Sequence, residues 1–583
     1  MAVTATEAAP AWDTFSDTWV ATDSLARRLP TGAEVGPPRP DRTVGIFYFL
    51  WHGAHIQGGP YDVTKILAQD PDAMRKPESP LWGPLHAPHH WGESVFGYYL
   101  TDDEGVLRKH AQMLADAGVD VVVFDVTNQL TYPEWYRSLL RVWSAMRQLG
   151  NRTPQVAFLT PFWDPGKVVR ELWRDLYEPG LYRDLWFHWD GKPLILADPD
   201  TLRFMYADGE VTRLAEFFTF RKPQPHYFQG PTQPDMWSWL EVSPQHVFRN
   251  ARGEAEQMSV GVAQNAVGDR LGCMSEPGAR GRSYHDGATD RRPNAVWYGS
   301  NVAEQWAAAL REDPRFVFIT GWNEWIAGRF NEFNGVRLPV MFVDQFDQEH
   351  SRDVEPMRGG HSDNYYYQMA GYVRRYKGAR PLELVHSGRI RIDGCFDDWR
   401  NVTPEFRDTV GDPVRRRHRG WDPKVVYENQ TGRNDIVAAK VSADARQVCF
   451  YVRTQEPLTP RSGSAWMLLF LDVDANARTG WLGYDYVVNR GGAGNTSPTL
   501  ERNLGGRYEW RNAGEAGLRA IGNELELAIP WKRLGLRGPP AALDFKWADH
   551  IRETGEASDF TLNGDAAPND RFNYRALLAG RDH

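Results

Sequence analysis

The sequence has little cysteine, no long apolar run and no excess of positive charge, and each absence excludes a class of protein. Its three cysteines, Cys273, Cys395 and Cys449, cannot form a disulfide framework, and no two of them have the spacing of a zinc site. No apolar run is long enough to span a bilayer. A formal net charge of -9 argues against nucleic acid as a partner, because phosphate binding requires clustered Lys and Arg.

The N-terminus also lacks a recognisable targeting signal. The segment MAVTATEAAPAWDTF has neither a basic start nor an apolar core, so we expect no signal peptide. Two locations stay open: the cytoplasm, or the cell exterior if the sequence is that of a mature secreted chain. The sequence indicates no oligomeric state.

Aromatic side chains are abundant. Phe, Trp and Tyr make up 13% of the 583 residues, and 24 residues are Trp. Trp and Tyr combine a flat apolar face with a polar edge, which suits the apolar faces and polar rims of sugar rings. A place in the core is the better prediction for any single Trp, but together they favour a carbohydrate as the partner.

Apolar strands and amphipathic helices alternate through the first two-thirds of the chain. Strands are predicted at 44–53, 119–128, 155–163, 192–199, 216–220, 237–242, 259–264 and 315–325. Such alternation produces parallel strands joined by crossovers. Since no Gly-rich phosphate loop follows the first strand, we predict an α/β fold of the (β/α)8 TIM-barrel type rather than a doubly wound sheet.

From about residue 387 the strands become short and alternating, which is typical of an antiparallel β-sandwich. We therefore predict three segments. Residues 1–43 form an N-terminal leader packed on the barrel, residues 44–380 the catalytic barrel, and residues 387–583 the β-sandwich.

Acidic residues that follow the predicted strands are the catalytic candidates, because glycosidic cleavage uses paired carboxylates. Glu324, in Gly321-Trp-Asn-Glu-Trp325, is the first candidate, since its Trp neighbours would desolvate the carboxyl group. Glu241 and Asp125 also follow strands. Each has a structural alternative: a helix cap or an arginine pair such as Arg329 for Glu324, a salt bridge for Glu241, and backbone amides or an arginine for Asp125.

Aromatic and polar residues near the same strand ends are predicted to bind substrate. They are Trp51, His52, His90, Trp91, Tyr99, Asn128, Trp163, Trp239, Trp322, Asn323 and Trp325.

No cofactor is required by this pattern, and a structural calcium ion is the one candidate. Asp472, Asp474 and Asn476 place oxygen ligands at alternate positions after a strand, which suits calcium; a turn held by side-chain hydrogen bonds explains them nearly as well. The acidic segment 344–355 is more typical of a solvated loop.

Two parts of the chain resemble known families. Tyr48-Phe-Leu-Trp51, His89-His-Trp91, the block 110–128 and Phe318-Ile-Thr-Gly-Trp-Asn-Glu-Trp325 resemble glycoside hydrolase family 99 and its wider group. That resemblance implies a (β/α)8 barrel and retaining endo-α-mannosidase chemistry, in which Glu324 matches the first motif carboxylate. Position 327, which matches the second, is Ala here, and Glu241 or Glu332 are the candidates to replace it. Residues 392–399, 470–480 and 525–530 resemble a family 9 carbohydrate-binding module or DOMON-like domain.

The sequence thus predicts a glycoside hydrolase that cleaves a poly- or oligosaccharide. The alternative is a non-catalytic glycan-binding protein, which Ala327 favours. A third, a glycosyltransferase-like enzyme, ranks last because nothing resembles a nucleotide-sugar site.

Overall fold

The structure is a computed structural model that describes residues 11–206, 209–461, 463, 465–491 and 498–578. Its first part holds a nearly closed, barrel-like sheet of parallel strands, and its last part holds antiparallel sheets. The predicted order of an α/β part followed by an antiparallel β part is confirmed at this level. Among the described residues, no helix combines the length and the apolar character that a bilayer crossing requires.

Eight parallel strands form the barrel-like sheet and follow one another in chain order. They are β1 Thr43–Tyr48, β2 Val121–Asp125, β3 Gln155–Leu159, β4 Lys192–Leu196, β5 Thr219–Pro223, β6 Met236–Trp237, β7 Ala255–Gly261 and β8 Phe316–Thr320. Strand β8 pairs with both β1 and β7, so among the described residues the circle stays open only between β6 and β7. The strands are almost entirely buried, as expected when both faces of a parallel sheet are covered.

Helices cover most of the outside of this sheet. They are α1 Val63–Gln69, α2 Glu104–Asp116, α3 Pro133–Gln148, α4 Gly166–Leu172, α5 Pro199–Met205, α6 Gly209–Phe217, α7 Ser300–Glu312 and α8 Asn364–Lys377, with single turns at Gly32–Val35 and Asp559–Leu562. A π-helical segment, Trp173–Tyr177, continues α4.

Two connections depart from the predicted alternation. The described segments that join β5 to β6 and β6 to β7 contain no helix. Four prolines between residues 224 and 254 explain this, because proline lacks the amide hydrogen that a helix interior requires. Strand β5 also begins later than the predicted 216–220, because α6 continues to Phe217.

Shorter strands surround the barrel-like sheet. The hairpin of β9 Ile326–Phe333 and β10 Val336–Phe342 extends a small sheet with Pro88–His90 and Tyr61–Asp62. The others are His188–Trp189, Phe248–Arg249, Ala266–Val267, Arg270–Leu271, Tyr284–His285 and Ala288–Thr289.

Residues 406–578, here called the C-terminal β region, contain two larger antiparallel sheets. Their strands are β11 Phe406–Arg407, β12 Ile436–Ala443, β13 Gln447–Thr454, β14 Leu468–Asp472, β15 Tyr486–Val488, β16 Thr499–Asn503, β17 Trp510–Glu515, β18 Gly517–Ile521, β19 Glu524–Pro530, β20 Ala542–Asp549, β21 Asp565–Ala567 and β22 Tyr574–Leu577. A separate hairpin joins Arg416–Arg419 to Val426–Asn429. Phe450 of one sheet contacts Phe545 of the other, with ring centroids 5.5 Å apart.

The C-terminal β region packs directly against the first part of the chain. Phe572 contacts Trp19 of the N-terminal segment and Tyr366 of α8. Arg571 forms a salt bridge of 2.8 Å with Asp363. One continuous hydrophobic core therefore joins the two parts. The predicted segment limits at 43, 380 and 387 stay predictions.

Candidate functional site

Polar and aromatic side chains meet where the carboxyl ends of the parallel strands open. Asp125 ends β2, whereas Tyr227, Trp239 and Glu324 follow β5, β6 and β8. The segment between β10 and α8 adds two charged residues. We call this group the mouth cluster: Asp125, Tyr227, Trp239, Glu324, Asp344 and Arg352. The ionisable members of the cluster, which exclude Trp239, are linked by electrostatic interactions. Active sites of barrel enzymes form at this end of the strands.

Glu324 is the most enclosed carboxylate of the mouth cluster, at 3% exposed. Its Oε2 accepts hydrogen bonds from Arg352 at 2.6 Å and from the side-chain amide of Gln345 at 2.5 Å. The backbone amide of Glu324 donates to Asp353 Oδ1 at 2.5 Å. The arginine considered from the sequence, Arg329, donates instead to backbone carbonyls elsewhere. Glu324 is thus rigidly held, and its partner is Arg352.

Arg352 joins the members of the mouth cluster. Its Nη2 lies 3.7 Å from Asp344 Oδ1, and its Nη1 donates to Asn265 Oδ1 at 2.5 Å. The guanidinium carbon lies 5.3 Å from the ring centroid of Trp239, a cation–π contact. Trp239 in turn contacts Tyr227 edge-on at 5.4 Å. Carboxylates and aromatic rings are therefore arranged around one guanidinium.

Burial and mutual repulsion hold the carboxyl groups here closer to neutrality than in water. Burial raises the pKa of Glu324 well above its ordinary value, Arg352 opposes this shift, and Asp344 and Asp353 add to it. Burial raises the pKa of Asp125 to about 6, against the hydrogen bond from Thr127. Perturbed carboxyl groups that gather in one cleft are typical of catalytic sites.

Several predicted substrate-binding residues form a buried layer behind Glu324. Asn323 exchanges hydrogen bonds with the backbone of Phe49, at 2.9 and 3.2 Å. The Trp325 ring stacks on Trp91 at 4.5 Å, and Trp322 is fully buried. These side chains fix the position of the Glu324 loop and are too buried to meet a ligand in this structure.

Glu355 anchors the same layer. It accepts hydrogen bonds from Ser94 at 2.5 Å, Tyr99 at 2.8 Å and Trp325 at 2.6 Å. Burial opposes ionisation of Glu355, but His110 and these donors outweigh it and lower its pKa. The sequence predicts that Tyr99 binds a ligand, but in the structure its hydroxyl donates a hydrogen bond to the buried carboxylate of Glu355. His52 similarly lies against the backbone carbonyl of Asn323 at 2.8 Å.

The other predicted binding residues divide between the rim and the interior. His90 is 2% exposed and lies against Trp421 of the C-terminal β region. Trp51 stacks on Phe49 at the mouth, with a ring separation of 5.1 Å. Asn128 is exposed and donates to the Tyr132 hydroxyl. Trp163 is 73% exposed, an unusually open position for such a large apolar ring.

Glu241 lies apart from these contacts. Its carboxylate accepts a hydrogen bond of 2.6 Å from the His246 backbone amide and lies 3.2 Å from His246 Nδ1. Burial raises its pKa to about 8. These contacts with His246 agree with the structural alternative for Glu241, a salt bridge. A catalytic role for Glu241 stays a prediction.

The position of the second family carboxylate is apolar here. Ala327 lies in β9 and belongs to a hydrophobic cluster with Trp82 and Phe342. Glu332, the nearby candidate replacement, is exposed at the far end of the hairpin and pairs with Arg337 at 3.0 Å. Neither position therefore places a carboxylate beside Glu324. The acidic residues that the mouth cluster contains besides Glu324 are Asp125 and Asp344.

The predicted calcium turn is closed by its own hydrogen bonds. Asp472 Oδ1 accepts from the backbone amides of Asp474 and Asn476, each at 3.2 Å. Asp472, Asp474 and Asp485 also place carboxylate oxygens within 4.8 Å of one another. The structure thus agrees both with a turn held by side-chain hydrogen bonds and with a calcium site. Calcium binding at this turn stays a prediction.

Sequence reasoning missed four residues near the site. The segment that contains Asp344, Arg352 and Glu355 was interpreted as a solvated loop, yet Arg352 and Glu355 are almost fully buried. Tyr227 lies in a proline-rich connection without a regular pattern. One signal was present: Arg352 is a single cation within an acidic run, as expected of a residue that pairs with buried carboxylates.

Comparisons with known proteins give only distant similarity. No protein-family model matches the chain, and no curated protein matches it. Two structures of the GH99 endo-alpha-mannosidase from Bacteroides thetaiotaomicron, one in complex with BIS-TRIS-propane, are similar at a TM-score of 0.33 and 17% identity. Each similarity covers 58% of this chain and 97% of the other chain. We therefore base the proposed function on the side chains of the site.

Proposed function

We propose that this chain is a glycoside hydrolase and that the carboxylates of the mouth cluster carry out the reaction. The supporting observation is that Asp344 and the guanidinium of Arg352 act electrostatically on both Glu324 and Asp125. Hydrolysis of a glycosidic bond needs two carboxyl groups with different protonation states on either side of that bond.

Asp125 is the proposed proton donor. Its pKa of about 6 keeps a fraction of the Asp125 carboxyl groups protonated near neutral pH. The main cause of this raised pKa is burial of the side chain, not the charge of a neighbouring residue. It would give its proton to the glycosidic oxygen as the bond between that oxygen and the anomeric carbon breaks.

Glu324 is the proposed base or nucleophile. Because burial raises the pKa of Glu324, its ionised form depends on the salt bridge with Arg352, and the same contact raises the pKa of Arg352. The hydrogen bonds from Arg352 and Gln345 also fix the direction of the carboxylate. It would either accept a proton from the water that attacks the anomeric carbon, or attack that carbon itself. In the second case water later releases the sugar, and Asp125 accepts a proton from that water.

The charge of the mouth cluster suits the transition state. Three carboxylates surround one guanidinium, so an excess of negative charge faces the cleft when they are ionised. The transition state of glycoside hydrolysis is a sugar cation of the oxocarbenium type, which such charge stabilises. The partly buried Trp51 and the exposed Trp163 offer apolar faces for sugar rings.

A non-catalytic glycan-binding protein is the second candidate. The salt bridge to Arg352 favours it, because a carboxylate held by an arginine is less available for chemistry, and Ala327 leaves the family position apolar. In this case the aromatic rings would bind glycan without turnover.

Incubation with a panel of plant, fungal and bacterial glycans tests both candidates. We expect reducing ends to appear with at least one glycan, and proton NMR of the fresh product distinguishes direct attack by water from attack by Glu324 through the anomer released. Binding to glycans without any released sugar would overturn the hydrolase proposal and support the second candidate.

A further inference from the structure

A second group of carboxylates lies far from the mouth cluster, where the C-terminal β region meets α2. We call Asp408, Asp412 and Asp565 the buried aspartate cluster. One carboxylate oxygen of each lies within 4.8 Å of the others. Asp408 is 0% and Asp565 4% exposed.

Asp408 points to a ligand within this cluster. Neither oxygen of its fully buried carboxylate accepts a hydrogen bond from any described residue, and the same holds for Asp412 Oδ1. Asp565 is oriented by the backbone amides of Ile436 at 2.6 Å and Ala566 at 2.8 Å. Buried charged oxygens without partners are costly, so native proteins compensate them with a cation or a donor.

The nearby lysines Lys546 and Lys109 act on the cluster only from beyond salt-bridge distance. Among the described residues, no salt bridge involves Asp408, Asp412 or Asp565. The arginines Arg416, Arg433 and Arg571 of the same region pair instead with Asp103, Asp549 and Asp363. Lys546 donates to the Pro568 carbonyl, and Lys109 donates to Gln112 Oε1 at 2.8 Å. Both ammonium groups are thus held by neutral oxygens.

We propose that the buried aspartate cluster binds one calcium ion. Two oxygens bound to the same calcium at about 2.3–2.6 Å lie at most about 5 Å apart, which agrees with the separation observed here. The ligand set contains only oxygen, which suits calcium and not zinc.

The ion would join the two parts of the chain. Gln112 of α2 donates hydrogen bonds to Asp412 and to Asn569 of the C-terminal β region, so the barrel-like part contacts the cluster directly. A cleft of about 920 Å³ reaches Asp412 and Gln112 from the surface and provides an entry path.

Thermal unfolding of the full chain with and without CaCl2, after EDTA treatment and dialysis, tests this proposal. We expect calcium at about 100 times its Kd to raise the wild-type Tm by about 5 °C or more. In Asp408→Asn and, as a second variant, Asp412→Asn, we expect a shift below about 1 °C. The metal-free Asp408→Asn protein should unfold no earlier than metal-free wild type, because the substitution removes repulsion between carboxylates.

Asp397→Asn is the matched control and should keep the wild-type calcium shift, because Asp397 is exposed, pairs with Arg400 at 2.8 Å and belongs to neither acidic group. The proposal is overturned if calcium does not shift the wild-type Tm, or if Asp408→Asn and Asp412→Asn both keep the wild-type shift. Neither result depends on whether the protein hydrolyses a glycan.

Discussion

The mouth cluster and the buried aspartate cluster both remove carboxylates from water, but they differ in what balances the charge. At the mouth, Arg352 contacts Glu324 at 2.6 Å and lies 3.7 Å from Asp344. In the buried aspartate cluster, no described side-chain cation stands within salt-bridge distance, and Asp408 has no hydrogen-bond donor. A guanidinium built into the fold balances carboxylate charge at the mouth, whereas the other group has no such partner among the described residues and is proposed to bind an external cation.

This difference separates a site for chemistry from a site for stability. The mouth cluster lies at the carboxyl ends of the parallel strands, where barrel enzymes place their active sites. The buried aspartate cluster lies between two packed regions, where an ion would strengthen their contact. The comparison predicts that changes at the mouth affect turnover first, and that changes in the buried cluster affect stability first.

Loss of Arg352 should have the largest effect. In Arg352→Met the buried Glu324 loses its charge partner, and we expect the free energy of unfolding to fall by about 3–5 kcal/mol, because an unpaired buried charge is strongly destabilising. The double variant Arg352→Met with Glu324→Gln should recover part of that loss, since its carboxylate is gone. Urea unfolding of the wild type, of each single variant and of the double variant measures the coupling free energy between Arg352 and Glu324.

Arg358→Met is the matched control for that cycle. Arg358 is exposed and lies 3.4 Å from Glu93, so its removal should cost about 1 kcal/mol or less. Equal destabilisation by the two arginine substitutions would contradict a special role for Arg352.

Asp125 should control the pH dependence of turnover. A proton donor acts only while it is protonated, so kcat should be highest below the pKa of about 6 and fall as the pH rises through it. Asp125→Asn should lower kcat by about a hundredfold or more and remove that limb of the profile. A limb near pH 6 that persists in Asp125→Asn would assign the titration to another group.

Glu241→Gln should have the smallest effect. Its pKa of about 8 keeps the carboxyl group protonated at neutral pH, and glutamine preserves an uncharged side chain that can accept from the His246 amide. We expect the free energy of unfolding to change by about 1 kcal/mol or less and turnover to stay close to wild type. A loss of turnover as large as that in Asp125→Asn would restore Glu241 as a catalytic candidate.

The sequence predicts those features that depend on local pattern. Val121–Asp125 and Phe316–Thr320 are continuous apolar runs, so their strands and the placement of Asp125 and Glu324 after them follow from hydrophobicity alone. The two-residue strand Met236–Trp237 has too little pattern for its bounds to be predicted. The connections on either side of this strand contain no helix because of their prolines. The prolines alone did not predict this, since their effect is clear only once the structure is known.

The partners of the candidate residues could not be predicted, because they depend on tertiary contacts. Arg352 reaches Glu324 only because an irregular segment folds back over the strand ends, and its acidic composition is equally typical of a solvated loop. Asp408 and Asp565 come from distant parts of the sequence and lie at two different sheets of the C-terminal β region, so only the packing of these sheets brings them together. The sequence predicts sugar binding for three tryptophans, Trp91, Trp322 and Trp325. Only their burial in the structure shows that they belong to the layer behind Glu324.

The turnover of Glu324→Gln tests the central claim most directly. The substitution keeps the shape of the side chain and removes its ionisable group, while glutamine can still accept a hydrogen bond from Arg352. On a glycan that the wild type cleaves, we expect kcat to fall by at least about a hundredfold, with glycan affinity and the circular dichroism spectrum unchanged. A folded Glu324→Gln protein with a kcat close to that of wild type would contradict the assignment of catalysis to the mouth cluster.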